Sequence, residues 1–420
     1  MRKKLVLFRS AILAATLLFA IGSCKDEEED FLLETLVADA IDLNGATPPS
    51  DVSPTPNIVA TFSSDVDAAT ATPANIVLTR DYDDEAITLQ ITVSGKSITI
   101  VPEGDLGNGA LYELEFMAGL KGTNGKAVTA FSRAFTTEGV FAPSGAVAYW
   151  NFNDTPNEQV SGAAPVGLVN LSFVDSYSAT AGKAGSFNGT TTIVEFSGAD
   201  AWMNTHDFTL SFWVKANSVG HVNAEGNPKG HFVMGLGAFK GFQFEIAGDY
   251  AWCKLAGSYE LADGTTASED LWFPGDGVTG QNGGWQGWTF CKDLTGSGGV
   301  AALIKDTWAN VVCIYNSTER TGTMYINGEK MKAFDFDLWP DGEAKRGVVG
   351  MKWGGVAPEV VNELAFGFIQ SRAGTLWDTE PWGGYDFPTS NHFGGLLDDV
   401  RIYQRVLSEA EISLMYSSAK

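Results

Sequence analysis

Residues 207–215 read Asp-Phe-Thr-Leu-Ser-Phe-Trp-Val-Lys. Phe208, Leu210, Phe212 and Val214 occupy alternate positions, so one face of an extended segment is apolar, which is the period of a β-strand. The pattern recurs downstream, where Phe232, Met234 and Leu236 share a face, as do Phe242, Phe244 and Ile246. Met324, Tyr325 and Ile326 run into Asn327-Gly328, a dipeptide that accepts the positive φ angles of a type I′ hairpin turn. The period changes only near the end. There Ser408 and Glu411 form a capping box ahead of Ile412, Met415 and Tyr416, one apolar side of a short helix that packs on a sheet. With 48 Gly and 12 Trp but only 19% charged residues, the composition also points to aromatic strands joined by glycine turns. The expectation is an all-β protein.

Toward the N-terminus the strand pattern breaks at 139–145, where Pro143, Ser144 and Gly145 intervene. Upstream, short runs of β-formers at 58–62, 75–79, 87–93, 97–101, 111–116 and 131–136 have the spacing of a sandwich. Within 88–93 the apolar Leu89, Ile91 and Val93 alternate with Thr88, Gln90 and Thr92, as a half-solvated antiparallel strand requires. The expected boundaries are one domain at 35–139 and a second, larger one at 145–420, in keeping with roughly 100 to 200 residues per domain. Residues 54–79, with Pro56, Asn57, Ile58, Val59, Ala60, Thr61, Phe62 and then Val66, Asp67, Thr70, Asn75, Ile76 and Leu78, resemble the bacterial Ig-like domain; 97–101 and 119–126 also fit. That resemblance implies a spacer.

Ahead of these domains stand Arg2, Lys3, Lys4 and Arg9 and then an apolar run over 11–21, too short to cross a bilayer of about 30 Å. Residues 1–23 are expected to be a secretion signal. Ile21, Gly22, Ser23 and Cys24 resemble a bacterial lipobox, which implies lipidation of Cys24 and a lipid anchor in the membrane. The run Lys25, Asp26, Glu27, Glu28, Glu29, Asp30 is a solvated charge tract, so 24–34 reads as an acidic tether. It resembles the export signal of surface lipoproteins, which implies an outer-membrane lipoprotein displayed on the cell surface.

The formal charge of −24, about −28 once residues 1–23 are removed, excludes sequence-independent binding to nucleic acid, whose phosphates need a positive surface. Neutral ligands, cations or other proteins remain. Besides Cys24 there are Cys253, Cys291 and Cys313, and in an oxidising compartment a Cys253–Cys291 disulfide is expected to close a glycine-rich excursion, leaving one buried thiol.

The larger domain carries a second resemblance. Residues 149–153 (Tyr-Trp-Asn-Phe-Asn), 185–189 (Gly-Ser-Phe-Asn-Gly), 207–215, 306–328 with Trp308, and 395–416 with Leu397, Asp398, Asp399, Val400, Arg401, Ile402 and Tyr403 look like a laminin-G-like domain of the concanavalin A-like lectin/glucanase superfamily. The resemblance covers nearly all of 145–420. It implies a jelly-roll sandwich of two antiparallel sheets, one concave, with the opening strand beside the closing one. Asp398, on the same strand face as Val400 and Ile402, should point inward, where an unpaired charge is expensive. Similar jelly rolls hold a structural Ca²⁺ between first and last strands, with Asn153 a candidate second ligand; a hydrogen-bonded Asp398, or one paired with an Arg, is the alternative.

Nine tryptophans lie outside these motifs, at 202, 252, 272, 285, 288, 339, 353, 377 and 382, many among Gly and polar residues. Each carries about 150–250 Å² of mostly apolar surface, so an indole in a loop is either buried, pinning the loop or filling the core, or used. Sugar rings offer flat C–H faces to such indoles. The candidate ligand-binding residues are Trp272, Trp285, Trp288, Trp339, Trp353, Trp377, Trp382 and Tyr385. Retaining glucanases need two carboxylates about 5 Å apart. No Glu-x-Asp-x-Glu strand is present; Asp335 and Asp337 share a strand face but read as a solvent-facing edge. His206, His221, His231 and His392 show no metal-protease or triad spacing, and no Walker or Rossmann glycine pattern occurs. The expected function is non-catalytic binding of a polysaccharide at the cell surface; an adhesion or assembly module for a protein partner and a divergent hydrolase or lyase are the alternatives.

Overall fold

The computed structural model of the chain describes residues 30–45, 47–275 and 287–420. The expected signal at 1–23, Cys24, most of the acidic run and Trp285 lie outside them.

The N-terminal domain is a sandwich. One sheet joins Ile41–Asp42, Leu33–Ala38, Ile58–Phe62, Ser97–Pro102 and Leu89–Ser94; the other joins Glu85–Ile87, Ile76–Arg80, Leu111–Phe116 and Phe131–Thr136. Five of the six expected strands appear within a residue or two, and the sixth divides at Thr88. The strand Leu33–Ala38 is additional. It corrects the tether boundary: the Phe31 ring, 1% exposed, stacks on Phe62 at 4.5 Å, so the core reaches back past Glu34 to Phe31. A stacked aromatic pair out of water outweighs the charge of its neighbours.

The second domain stacks two antiparallel sheets. The first runs Ser172–Asp175, Lys183–Asn188, Gly394–Tyr403, Phe208–Ala216, Ala309–Asn316, Thr321–Ile326, Glu329–Asp335 and Trp288–Cys291, with Ala146–Trp150 also paired to Gly394–Tyr403. Opening and closing strands therefore lie side by side. The second sheet runs Gly167–Val169, Ile193–Phe196, Leu364–Phe366, His231–Leu236, Phe242–Ile246, Cys253–Leu261 and Thr266–Phe273, with Val348–Met351 on Cys253–Leu261. Phe208, Leu210, Phe212 and Val214 from the first sheet and Phe242, Phe244 and Ile246 from the second meet in one core. Asn327 and Gly328 take φ of 56° and 76° at the tip of the expected hairpin.

Two bulges reverse expectations that rested on strict alternation. One extra residue in His231–Leu236 lets Met234 pair with Phe244 while Phe232 pairs with Glu245, so Phe232 leaves the core face that Met234 and Leu236 share. In Gly394–Tyr403 the bulge falls at Asp399, with φ of 47°; Leu397, Val400 and Ile402 enter the core and Asp398 pairs with Trp213 on the opposite face. A one-residue slip moves every side chain beyond it to the other side of a sheet.

The C-terminal helix Glu409–Ser417 starts at the expected capping box, Ser408 Oγ accepting from the Glu411 amide at 3.1 Å. Ile412 and Met415 join Val312, Ile314 and Tyr403 of the large domain in a cluster continuous with the N-terminal core. The link is also polar: the Phe141 amide donates to Ser418 Oγ at 2.9 Å, and Arg405 reaches Glu411 at 2.7 Å and the Ser144 carbonyl at 2.9 Å. No described helix is long and apolar enough to cross a membrane.

Candidate ligand groove

The groove follows from strand parity. In Phe242–Ile246 the phenyl rings and Ile246 face the core, which sends Gln243 and Glu245 outward; in Cys253–Leu261 the same alternation sends Lys254 and Ala256 outward, and in Thr266–Phe273 it sends Ser268, Asp270 and Trp272 outward. All of these outward residues but Trp272 make a largely polar floor. Around it stand Trp252, Phe232, Phe239, Trp377 and Trp382, with Asn391, enclosing about 660 Å³. That is the size of a site for several sugar rings or a comparable ligand.

On the floor, Lys254 Nζ lies 3.0 Å from Glu245 and 2.9 Å from Asp270, while Gln243 donates to Glu245 at 3.2 Å. Lys345 and Glu269 pair at 2.6 Å at one side. Two polar atoms here are buried with no partner among the described residues: the acceptor Gln243 Oε1 and the donor Trp377 Nε1. Orphaned groups of this kind cost about 1–3 kcal/mol each.

Two members of the aromatic wall come from the loop between Leu364–Phe366 and Gly394–Tyr403. Trp377 and Trp382 meet there, Phe239 packs on Trp377 at 5.9 Å and Phe232 meets the edge of Trp382 at 6.0 Å. Glycine at 383 and 384 permits this turn, since a Cβ would come within 2.8 Å of Trp377 Cβ and 2.7 Å of the Phe387 ring. The His392 ring bonds the Tyr385 carbonyl at 2.8 Å, and Asn391 donates to the Trp382 carbonyl at 3.0 Å, closing the loop on itself.

Of the candidate binding residues that are described, only Trp377 and Trp382 border the groove; Trp285 lies outside the described residues. Trp288 and Trp339, 3% and 2% exposed, belong to the core. Trp353 packs against the core beside Gly237 and Gly241. Trp272 stands on the same sheet face, edge-on to Trp252, outside the groove lining. Tyr385 donates to the Thr191 carbonyl at 2.5 Å and lines a separate cavity with Arg372. Of the residues not anticipated, Gln243 and Glu245 are the polar members of a strand recognised only for its apolar face, whereas Lys254 and Asp270 belong to Cys253–Leu261 and Thr266–Phe273, strands the spacing did not announce; Trp252 was among the nine but not among the candidates.

Three further expectations need correction. No disulfide joins Cys253 to Cys291. The two sit on strands of opposite sheets: Cys253 Sγ lies 3.8 Å from Met324 Sδ, and Cys291 Sγ faces the Pro274 carbonyl at 3.5 Å. Burial pushes the Cys253 thiol up to about 12. Asp335 and Asp337 do not share a strand face, because Phe336–Leu338 turns into a 3-10 helix that Asp335 caps, and Asp337 pairs with Arg320 at 3.2 Å.

The third concerns Asn153 and Asp398. Asn153 Oδ1 accepts from the Lys183 amide at 2.6 Å, whereas Asp398 accepts from the Asp399 amide at 2.7 Å and from Ser176 Oγ. Their oxygens are turned to protein donors, and among the described residues no group of three or more His, Cys, Asp or Glu could hold a metal. The donor set does not fit a calcium ion. Burial and the adjacent Asp399 push the Asp398 carboxyl well above the usual range. Asp399 instead takes the charge partners, accepting from Tyr149 at 2.6 Å, Tyr177 at 2.5 Å and Arg401 at 2.9 Å.

Residues 38–137 match the family model of the bacterial Ig-like domain, which makes the N-terminal sandwich Ig-like. No curated protein matches the chain. Among solved structures, the receptor-binding domain of botulinum neurotoxin type G is similar at 12% identity and a TM-score of 0.37, over 65% of this chain and 51% of that one. The serotype D binding domain is similar at 12% identity and 0.38, over 65% and 50%. The chain spans about half the length of these structures.

Proposed function

We propose that the groove binds a neutral polysaccharide without cleaving it. One observation carries this reading: three indoles, Trp252, Trp377 and Trp382, border a floor of hydrogen-bonding side chains on the face of one sheet. An indole stacks on the C–H face of a sugar ring, while amide and carboxylate groups take up its hydroxyls. The floor side chains of Gln243, Glu245, Lys254 and Asp270 supply donors and acceptors for those hydroxyls. Hydrolysis is disfavoured by the position of Lys254, because its ammonium occupies the space between the Glu245 and Asp270 carboxylates that a scissile glycosidic bond would need. Export under the signal at 1–23 and lipidation of Cys24 hold the protein on the outer membrane, facing out, with the Ig-like sandwich as spacer. Isothermal titration of wild-type protein and Trp382→Ala against a panel of polysaccharides tests the binding reading. Saturable heats that fall in the variant support it; flat heats with every glycan overturn it and transfer the groove to a protein partner.

A further inference from the structure

Lys229 is 6% exposed, yet among the described residues its ammonium has no carboxylate partner. Its Nζ donates only to the carbonyls of Gly189 at 3.2 Å and Pro388 at 3.4 Å, both long bonds. Beside it a cavity of about 250 Å³ opens at the rim of the sandwich, the volume of roughly eight waters. Lys229, His221 and Gly189 form its inner part; Asn188, Asn217 and Val222 stand at the mouth. No acidic side chain lines it, in a chain whose net charge is −24.

The neighbouring imidazoles do not supply a counter-charge or a second cation. His221 bonds the Gly230 carbonyl at 3.0 Å and stacks on His231 at 4.1 Å, and His231 bonds Tyr250 at 2.8 Å. Burial holds His221 below its ordinary range and pushes His231 down to about 2, so both rings are neutral at physiological pH. Asp306, on the neighbouring loop, spends its carboxylate on the Ser218 amide and hydroxyl. A buried ammonium with no anion beside it is costly, and an anion entering the cavity would relieve that cost.

We propose that this cavity is an oxyanion site, in which Lys229 receives a carboxylate or sulfate group while the exposed Asn217 amide stands at the entrance. The proposal is independent of the tryptophan groove, which lies across the Gly230 amide to Asn391 Oδ1 bond of 2.9 Å.

The test is titration of the full chain, at fixed ionic strength, with glucuronate, glucose 6-sulfate, inorganic sulfate and glucose. The anions are expected to bind and glucose is not. Lys229→Met should weaken anion binding about thirtyfold, since it removes the partner of a desolvated charge. Asn217→Asp places a carboxylate at the exposed mouth without touching the core and should weaken it similarly, whereas Trp382→Ala should leave it unchanged. Response to glucuronate or the sulfate ester assigns the site to a sugar-borne group, and response to inorganic sulfate alone assigns it to a free anion. Equal binding of glucose, absence of binding by every anion, or wild-type anion affinity in both Lys229→Met and Asn217→Asp overturns the proposal.

Discussion

Trp377 and Trp382 bring their ring centroids to 5.0 Å at an interplanar angle of 50°. They divide the work unequally, because Trp382 is 38% exposed whereas the Trp377 ring is half-buried against Phe239. Trp382→Ala is expected to weaken glycan binding about tenfold with little change in melting temperature, as for an exposed hot-spot residue. Trp377→Ala should lower both, since it also removes support for the loop. Calorimetric titration paired with a melting curve for each variant distinguishes the two roles.

The thiols give a second expectation. With no disulfide between Cys253 and Cys291, reductant leaves the melting temperature unchanged. The buried thiol of Cys253, pushed up to about 12, should ignore a thiol reagent in the folded protein and react only in denaturant. Reagent uptake by a form beginning after residue 24 measures this; a melting temperature that falls with reductant would restore the disulfide.

Asp398 makes stability depend on pH in an identifiable direction. Its folded carboxyl is held above the ordinary range by burial and by Asp399, so its contribution is full in acid and is lost as the pH rises past the ordinary carboxylate range toward the raised folded value. Asp398→Asn removes that dependence. The melting temperature of the variant minus that of the wild type should become more positive from about pH 4 to about pH 8. A chelator should shift neither protein, given oxygens already turned to Ser176 and the Asp399 amide.

The helix Glu409–Ser417 predicts coupled unfolding. Ile412 and Met415 share one cluster with the N-terminal core, so calorimetry of the full chain should show a single transition. Removing residues 408–420 should split it in two, with the Ig-like transition moving lower. A full chain that already melts in two well-separated steps would contradict the coupling.

Much of this architecture can be read from side-chain spacing. The alternation around Phe208, the Asn327-Gly328 turn and the Ser408/Glu411 box are local signals, and each becomes the element it announces. The bulges at Phe232 and Asp399 are not local in this sense, since they are set by what the neighbouring strand pairs with, and each reverses a face that the spacing predicts. The groove was half visible. Gln243 and Glu245 stand between apolar residues that mark a strand, but nothing nearby in sequence says that a loop from beyond residue 370 will lean over them. Tryptophan outside the strand motifs was an ambiguous signal: Trp382 is presented to solvent and Trp339 is sealed in the core, and only the tertiary fold separates them.

The shared cluster at the C-terminal helix also sets an order of events during biosynthesis. Ile412 and Met415 leave the ribosome long after the strands of the first sandwich, yet they complete its hydrophobic surface. The Ig-like domain therefore emerges with an uncovered flank, which stays exposed until the later domain has closed and its tail has swung back. Such non-local closure is slow and leaves sticky surface in view meanwhile. A chaperone holding the nascent chain would be expected to release it last from that flank, near Phe141.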